Sequence, residues 1–206
     1  ISCAEEKLYR INRFTGEVDD TTGDMVGRTS FNIVPPVYSD GMIFVGLSNG
    51  RVQAFNAETL ESLWVYTDAL GGQPNCPLVV HNGYLYTGFW NTESGKRANL
   101  VCISITDENP DEKTEAKQAT WTYATEGGYY WAGAYVCDDF LLVGTDDGQS
   151  GYLSDTSSLL SIDPVSGILI ERIDNLNGDI RSSVVHDSEN DRYCFTSKGG
   201  SFYSVA

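Results

Sequence analysis

Two-residue turns recur along this chain at a spacing that leaves little choice of fold. Asp40-Gly41, Asn49-Gly50 and Asn82-Gly83 each separate short apolar runs. Such dipeptides fit type I′ hairpin turns, where both central residues need positive φ. In residues 36–66, PVYSDGMIFVGLSNGRVQAFNAETLESLWVY, they delimit strands at Pro36–Ser39, Met42–Leu47, Arg51–Asn56 and Ser62–Tyr66. The pattern then returns. Pro77 matches Pro36, Asn82-Gly83 matches Asp40-Gly41, and Gly88 matches Gly46. The third strand of this second unit is Leu100–Ile105; the fourth, Thr120–Tyr123, reads TWTY against LWVY. A third unit runs through GAYVCDDFLLVGTDDG (133–148), SLLSIDPVSG (158–167) and ILIERI (168–173). A fourth, 182–206, reaches its third strand, and KLYRINRFTGEV (7–18) matches the close of an earlier unit.

Antiparallel four-stranded units repeated every 41 to 56 residues or so predict an all-β fold, a β-propeller. A lone blade cannot bury both faces, so neighbours must stack around an axis. The expected blades are 1–31 (partial), 32–72, 73–128, 129–179 and 180–206 (partial), three full and two partial. Residues 7–12 and 201–206 both read as third strands. That count favours a fragment of a larger propeller of about seven or eight blades. The alternative is a closed four-bladed ring in which the N-terminal segment completes the last blade. Open blade edges invite pairing with a second copy. Length differences fall in Asn91–Asn99, Glu108–Ala119 and Gln149–Ser157, and DEKTEAKQA (111–119) is expected to form a short exposed helix.

The spacing of Ala54, Asn56, Thr59 and Trp64 resembles A-x-D-x-x-T-G-x-x-x-W, the repeat of pyrroloquinoline-quinone-type (quinoprotein-like) propellers. The resemblance implies that Trp packs between blades and that the Asp/Thr-Gly bend joins strands three and four. The copies depart from it. Leu60 stands where the family has Gly. Asp163, Ser166 and Gly167 keep the bend, but Glu171 takes the Trp position. Asn12, Thr15 and Gly16 keep it with Asp20 there, and Trp121 follows a long insertion. The family's dehydrogenases carry a calcium ligand set, a catalytic Asp and often an adjacent cysteine pair. No Cys-Cys pair exists here, and no Asp stands out among 29 acidic residues. The resemblance therefore points to a non-enzymatic branch, like outer-membrane assembly scaffolds and cell-surface propellers, with no cofactor. The alternative is a fragment of a quinone- or metal-dependent oxidoreductase.

A formal charge of −16 disfavours nucleic acid. No apolar run approaches the ~20 residues of a membrane-spanning helix. Cys3, Cys76, Cys102, Cys137 and Cys194 form no CxxC and are an odd number, so neither a zinc ribbon nor a complete disulfide framework is expected. Cys3 in ISCAEE is also compatible with a lipoprotein cleavage site. His81 and His186 hold the same repeat position and read as turn residues. Asp146, Asp147 and Asp155 share one loop but lack EF-hand spacing.

The loops after strand two and between blades should share one rim. That rim gathers Trp90, the trio Tyr129, Tyr130 and Trp131, the amides Gln73 and Asn75, and Arg28 and Arg181. Aromatic rings give contact area at low entropic cost. These residues are the candidate surface for a protein or carbohydrate partner, and the compartment expected is extracellular or the bacterial envelope.

Overall fold

The computed structural model describes residues 6–29, 34–91, 96–146 and 156–206. Eighteen strands and no helix make up the described residues. A two-stranded sheet, β1 (Lys7–Ile11) and β2 (Val18–Asp24), opens the chain. The next sheet holds β3 (Val37–Ser39), β4 (Met42–Leu47), β5 (Arg51–Asn56) and β6 (Ser62–Thr67) in meander order. β7 (Val79–His81), β8 (Tyr84–Gly88) and β9 (Arg97–Ser104) follow. The chain then makes β10 (Glu115–Lys117) before closing that blade with β11 (Trp121–Glu126). The fourth sheet is β12 (Tyr135–Val136), β13 (Leu141–Gly144), β14 (Thr156–Ile162) and β15 (Leu169–Asn177). The fifth has three strands: β16 (Val185–Asp187), β17 (Arg192–Thr196) and β18 (Phe202–Val205). Among the described residues no strand pairing joins the first sheet to the last, so the sheets are not closed into a ring by a shared blade.

The core is four seams rather than one centre. Leu8, Met25, Leu47 and Phe55 fill the first seam. Phe44, Trp64, Leu85 and Ile103 fill the second, Leu100, Trp121, Leu141 and Leu160 the third. Leu142, Leu159, Ile180 and Phe195 fill the fourth. Each of the three inner blades thus contributes alternate residues to two seams, and the first and last sheets to one.

The bend between strands three and four has a plain cause. Asn56 Oδ1 accepts the N–H of Glu58 at 2.8 Å and of Thr59 at 3.0 Å. Asn12 and Asp163 do the same two and three residues on. The next residue but one after the bend's tip turns left-handed: Gly16 at φ +76°, Gly167 at +73°, and Leu60 at +59°. A left-handed Leu costs about 1–2 kcal/mol. Leu60 is nonetheless 2% exposed in the first seam, and removing a buried Leu side chain costs about 2–5 kcal/mol. Leu60→Gly should therefore lower stability, by about 1–3 kcal/mol in urea unfolding.

Asp163 is the ionisable member of these three bends. The N–H and hydroxyl of Ser166, and the N–H of Val165, hold its carboxyl below its ordinary 3.8. A depressed folded pKa adds stability above the unfolded value, and that stability is lost as pH falls through the folded one. Asp163→Asn should flatten the stability profile below the unfolded carboxyl's 3.8 and slightly lower stability at neutral pH, where the charged carboxylate's extra stabilisation is fully present. Acid titration of the urea midpoint for both proteins tests this.

Two tryptophans wedge the seams. Trp64 Nε1 donates to Ile105 O at 3.4 Å, and Trp121 Nε1 to Pro164 O at 2.9 Å in the next blade's bend. Glu171 leaves the fourth seam without a wedge. A groove of about 430 Å³ opens there between Leu142, Ile170 and Ile173 on one side and Tyr193 and Val205 on the other.

One expected element is corrected. Residues 111–119 form turns and β10, which pairs in parallel with β6 across Glu115↔Trp64 to Lys117↔Tyr66. The insertion of one blade caps the outer edge of its neighbour, satisfying backbone groups that a free edge would leave open. Lys117 is buried, bonds to Thr106 O and Glu108, and sets its ammonium 5.6 Å from the Trp64 ring centre.

Candidate functional site

The strand-two glycines explain how the rim is built. A Cβ on Gly46 would sit 3.1 Å from Pro74 Cβ, on Gly88 2.5 Å from Tyr129 Cβ, and on Gly144 2.2 Å from Ile180 Cγ2. Each blade's bare Cα therefore receives one residue from the segment entering the next blade. Pro74, Tyr129 and Ile180 are equivalent, and all three are buried. The residues after them, Asn75, Tyr130 and Arg181, hold one register position in three successive blades. Those before them, Gln73, Gly128 and Asp179, join a zigzag of backbone bridges. Gln73 pairs with Trp90, Trp90 with Gly128, and Gly128 with Asp146, while Lys198 N donates to Asp179 O.

Tyr129 is accordingly removed from the candidate surface. It is fully buried in the third seam, its hydroxyl donates to Tyr123 O at 3.2 Å, and burial pushes its pKa up. The other rings converge. The Tyr130 ring lies 4.2 Å from that of Trp90 and stacks at 4.4 Å and 23° on Trp131. Trp131 is the exposed end of this column, at 38%, and its backbone is left-handed at φ +59°. Its N–H donates to Asn75 O, which ties it to the blade behind.

Charged groups pin the other end. The Arg181 guanidinium lies 4.5 Å from the Tyr130 ring centre. Its Nε donates to Asp146 Oδ2 at 2.9 Å and a terminal nitrogen to Asp179 Oδ2 at 3.1 Å. Asp146 Oδ1 also accepts the Trp90 indole N–H at 2.9 Å, and Lys198 lies 3.7 Å from Asp179. Both carboxylates are essentially inaccessible to water. Buried charges persist only when paired. The network thus fixes Trp90, Tyr130 and Arg181 before any ligand arrives.

Of the remaining candidates, Gln73 and Asn75 lie on this rim, and Asn75 Oδ1 and Gln73 Oε1 are buried with no hydrogen-bond partner. Arg28 lies one blade along the same rim: Ser48 N donates to its carbonyl as Trp90 N and Asp146 N donate to those of Gln73 and Gly128, and its exposed side chain pairs with Glu6 at 3.5 Å rather than joining the column. Asp179 and Lys198 were not singled out by the sequence. Their signal is the register itself, since Asp179 precedes the residue equivalent to Tyr129. Asp146 belongs to the rim network; Asp147 and Asp155, with which it was grouped for calcium, lie outside the described residues, as does Cys3.

The histidines sit apart. His81 bonds Asp138 at 2.8 Å, and with Asn82 holds that carboxyl below its ordinary pKa. His186 stacks on Tyr193 at 4.6 Å and reaches Asp191 at 3.2 Å. The four described cysteines are free thiols. Burial pushes Cys76 up to about 12 and Cys102 to about 11, which makes both poor nucleophiles at neutral pH. No helix of the described residues is long and apolar enough to cross a membrane.

No family model matches the chain, and no curated protein matches its sequence. Solved structures match its fold. The quinohemoprotein alcohol dehydrogenase of Comamonas testosteroni superposes at a TM-score of 0.57 and 16% identity, over 79% of this chain and 28% of that one. A europium-containing methanol dehydrogenase does so at 0.61 and 11%, over 96% of this chain and 47% of that one. The computationally designed Ika4 protein aligns at 0.52 and 12%, over 84% and 91%. At these identities the likeness is one of fold: the chain is built as a β-propeller of four-stranded blades. It spans less than half the length of either dehydrogenase.

Proposed function

We propose that this chain is a binding or scaffolding propeller module, of the extracellular space or the bacterial envelope, whose rim contacts a protein or a glycan. The observation that carries this reading is the column Trp90–Tyr130–Trp131, its rings in contact and held by Arg181 and Asp146. Rings fixed in advance lose little entropy on contact, and aromatic and Arg anchors dominate binding energy. The test is a survey of arrayed glycans and arrayed peptides with the intact chain and with Tyr130→Ala/Trp131→Ala. A ligand held by the intact chain and by Tyr38→Ala, an exposed ring on β3, but lost in the double variant supports the reading. Binding that ignores the rim substitutions, or no ligand in either class, counts against it.

A quinone- or metal-dependent oxidoreductase is the second reading, favoured by the dehydrogenases that share the fold. No three His, Cys, Asp or Glu side chains among the described residues gather to hold a metal. The rim carboxylates Asp146 and Asp179 are engaged by Arg181. Dye reduction with the quinone, calcium and an alcohol decides the matter: turnover would establish the enzyme and sink the binding-only reading.

A further inference from the structure

We infer that the rim takes a neutral carbohydrate, one sugar ring of which stacks on Trp131 while the amide oxygens of Gln73 and Asn75, buried and unpaired in the free chain, turn out to meet its hydroxyls. This rests on the proposed binding role of the rim and names its ligand class. The first ground is the geometry of the column. Trp131 is its exposed end, with one face against Tyr130, so a single flat aromatic face remains for contact. The C–H face of a pyranose ring matches such a platform. A protein interface needs about 800 Å² per partner. The other strongly exposed apolar side chains of the described residues, among them Phe14, Tyr38, Val165 and Phe202, belong to other loops and strands.

The second ground is what the site lacks. Asn75 is 7% exposed and its Oδ1 has no partner; Gln73 is half-buried as a residue, but its Oε1 is also buried and unpaired. An unpaired buried acceptor costs about 1–3 kcal/mol, a cost that a donor on the ligand removes. Asn75 shares its register position with Tyr130 and Arg181, and its backbone carbonyl holds Trp131, so these acceptors border the column. They call for a ligand rich in donors. The third ground is charge. Arg181, the cation against the column, already pairs with Asp146 and Asp179, and the chain carries −16 overall, so an anionic ligand is disfavoured beside the column. Hydroxyl donors without negative charge describe a neutral sugar.

The experiment titrates the chain with cellohexaose, maltohexaose, xylohexaose and chitohexaose, read by tryptophan fluorescence and calorimetry. A uronate hexamer, a sulfated hexamer and the arrayed peptides run in parallel. At least one neutral sugar should bind and perturb the fluorescence. Trp131→Ala should weaken it by about tenfold or more, Trp131→Phe less, and Gln73→Ala by about threefold to tenfold. Tyr38→Ala should bind unchanged. Tighter binding of the uronate or sulfated sugar overturns the neutral assignment. Peptide binding lost in Trp131→Ala, with every sugar silent, overturns the carbohydrate class but keeps the rim as a binding site. Silence from all ligands overturns both.

Discussion

Trp64→Ala should lower stability by about 4 kcal/mol, close to the whole margin of a typical domain at the low end of its range. Trp64 is fully buried, with Phe44 5.7 Å away between ring centres on one side and the Lys117 ammonium on the other. Truncation to Ala removes the indole's burial and leaves a cavity, and large aromatic deletions of this kind cost about 3–5 kcal/mol. The lost indole N–H bond to Ile105 O adds less, since it is long at 3.4 Å. β10 also loses the platform beneath Lys117, so the strand cap on β6 loosens with it. Trp64→Phe should recover most of the loss. Because each seam has its own apolar cluster, amide exchange should quicken in β4–β9 more than in β16–β18. Urea unfolding measures the total; a change under about 1 kcal/mol would show that the seam does not depend on its wedge.

The repeat was legible because its signals are local. Asp40-Gly41 and Asn49-Gly50 demand positive φ, and β4 and β5 occupy Met42–Leu47 and Arg51–Asn56 as those turns require. The wedge role of Trp64 and Trp121 was legible through resemblance, and the structure shows it. β10 was not legible. Glu-Ala-Lys is a helix-favouring triplet, and it becomes strand only because the β6 edge, some fifty residues away in sequence, needs a partner. Tyr129, Tyr130 and Trp131 could not be sorted by alternation, since Trp131 turns left-handed and breaks the period of two. What separates them is the bare Cα of Gly88 in the blade before, a contact between units. Asp179 was hidden for a similar reason: one acid among 29 carries no mark until the register aligns it with Gln73 and Gly128.

Asp146 is the residue on which the rim should prove most sensitive. One oxygen accepts the Trp90 indole N–H and the other the Arg181 guanidinium, so a single buried carboxylate couples the far ring of the column to the cation beside Tyr130. Asp146→Ala removes both bonds. Breaking a fully buried pair costs about 3–5 kcal/mol. Arg181 keeps Asp179, and its side chain is 20% exposed, so water offsets part of the loss. About 2–4 kcal/mol is the expected fall in stability. Asp146→Asn separates the two bonds. Its amide oxygen can still accept from Trp90, while its charge no longer balances Arg181. It should therefore retain most of the rim's order at a smaller cost. A double-mutant cycle pairing Asp146→Asn with Arg181→Gln isolates the charge coupling, expected at about 1–3 kcal/mol. Ligand affinity supplies the independent readout. If the column binds as a unit, Asp146→Ala should weaken binding as strongly as Trp131→Ala, although Asp146 is buried and touches no ligand. If instead Trp131 acts alone, Asp146→Ala should lower the urea midpoint and leave the affinity of the still-folded protein unchanged.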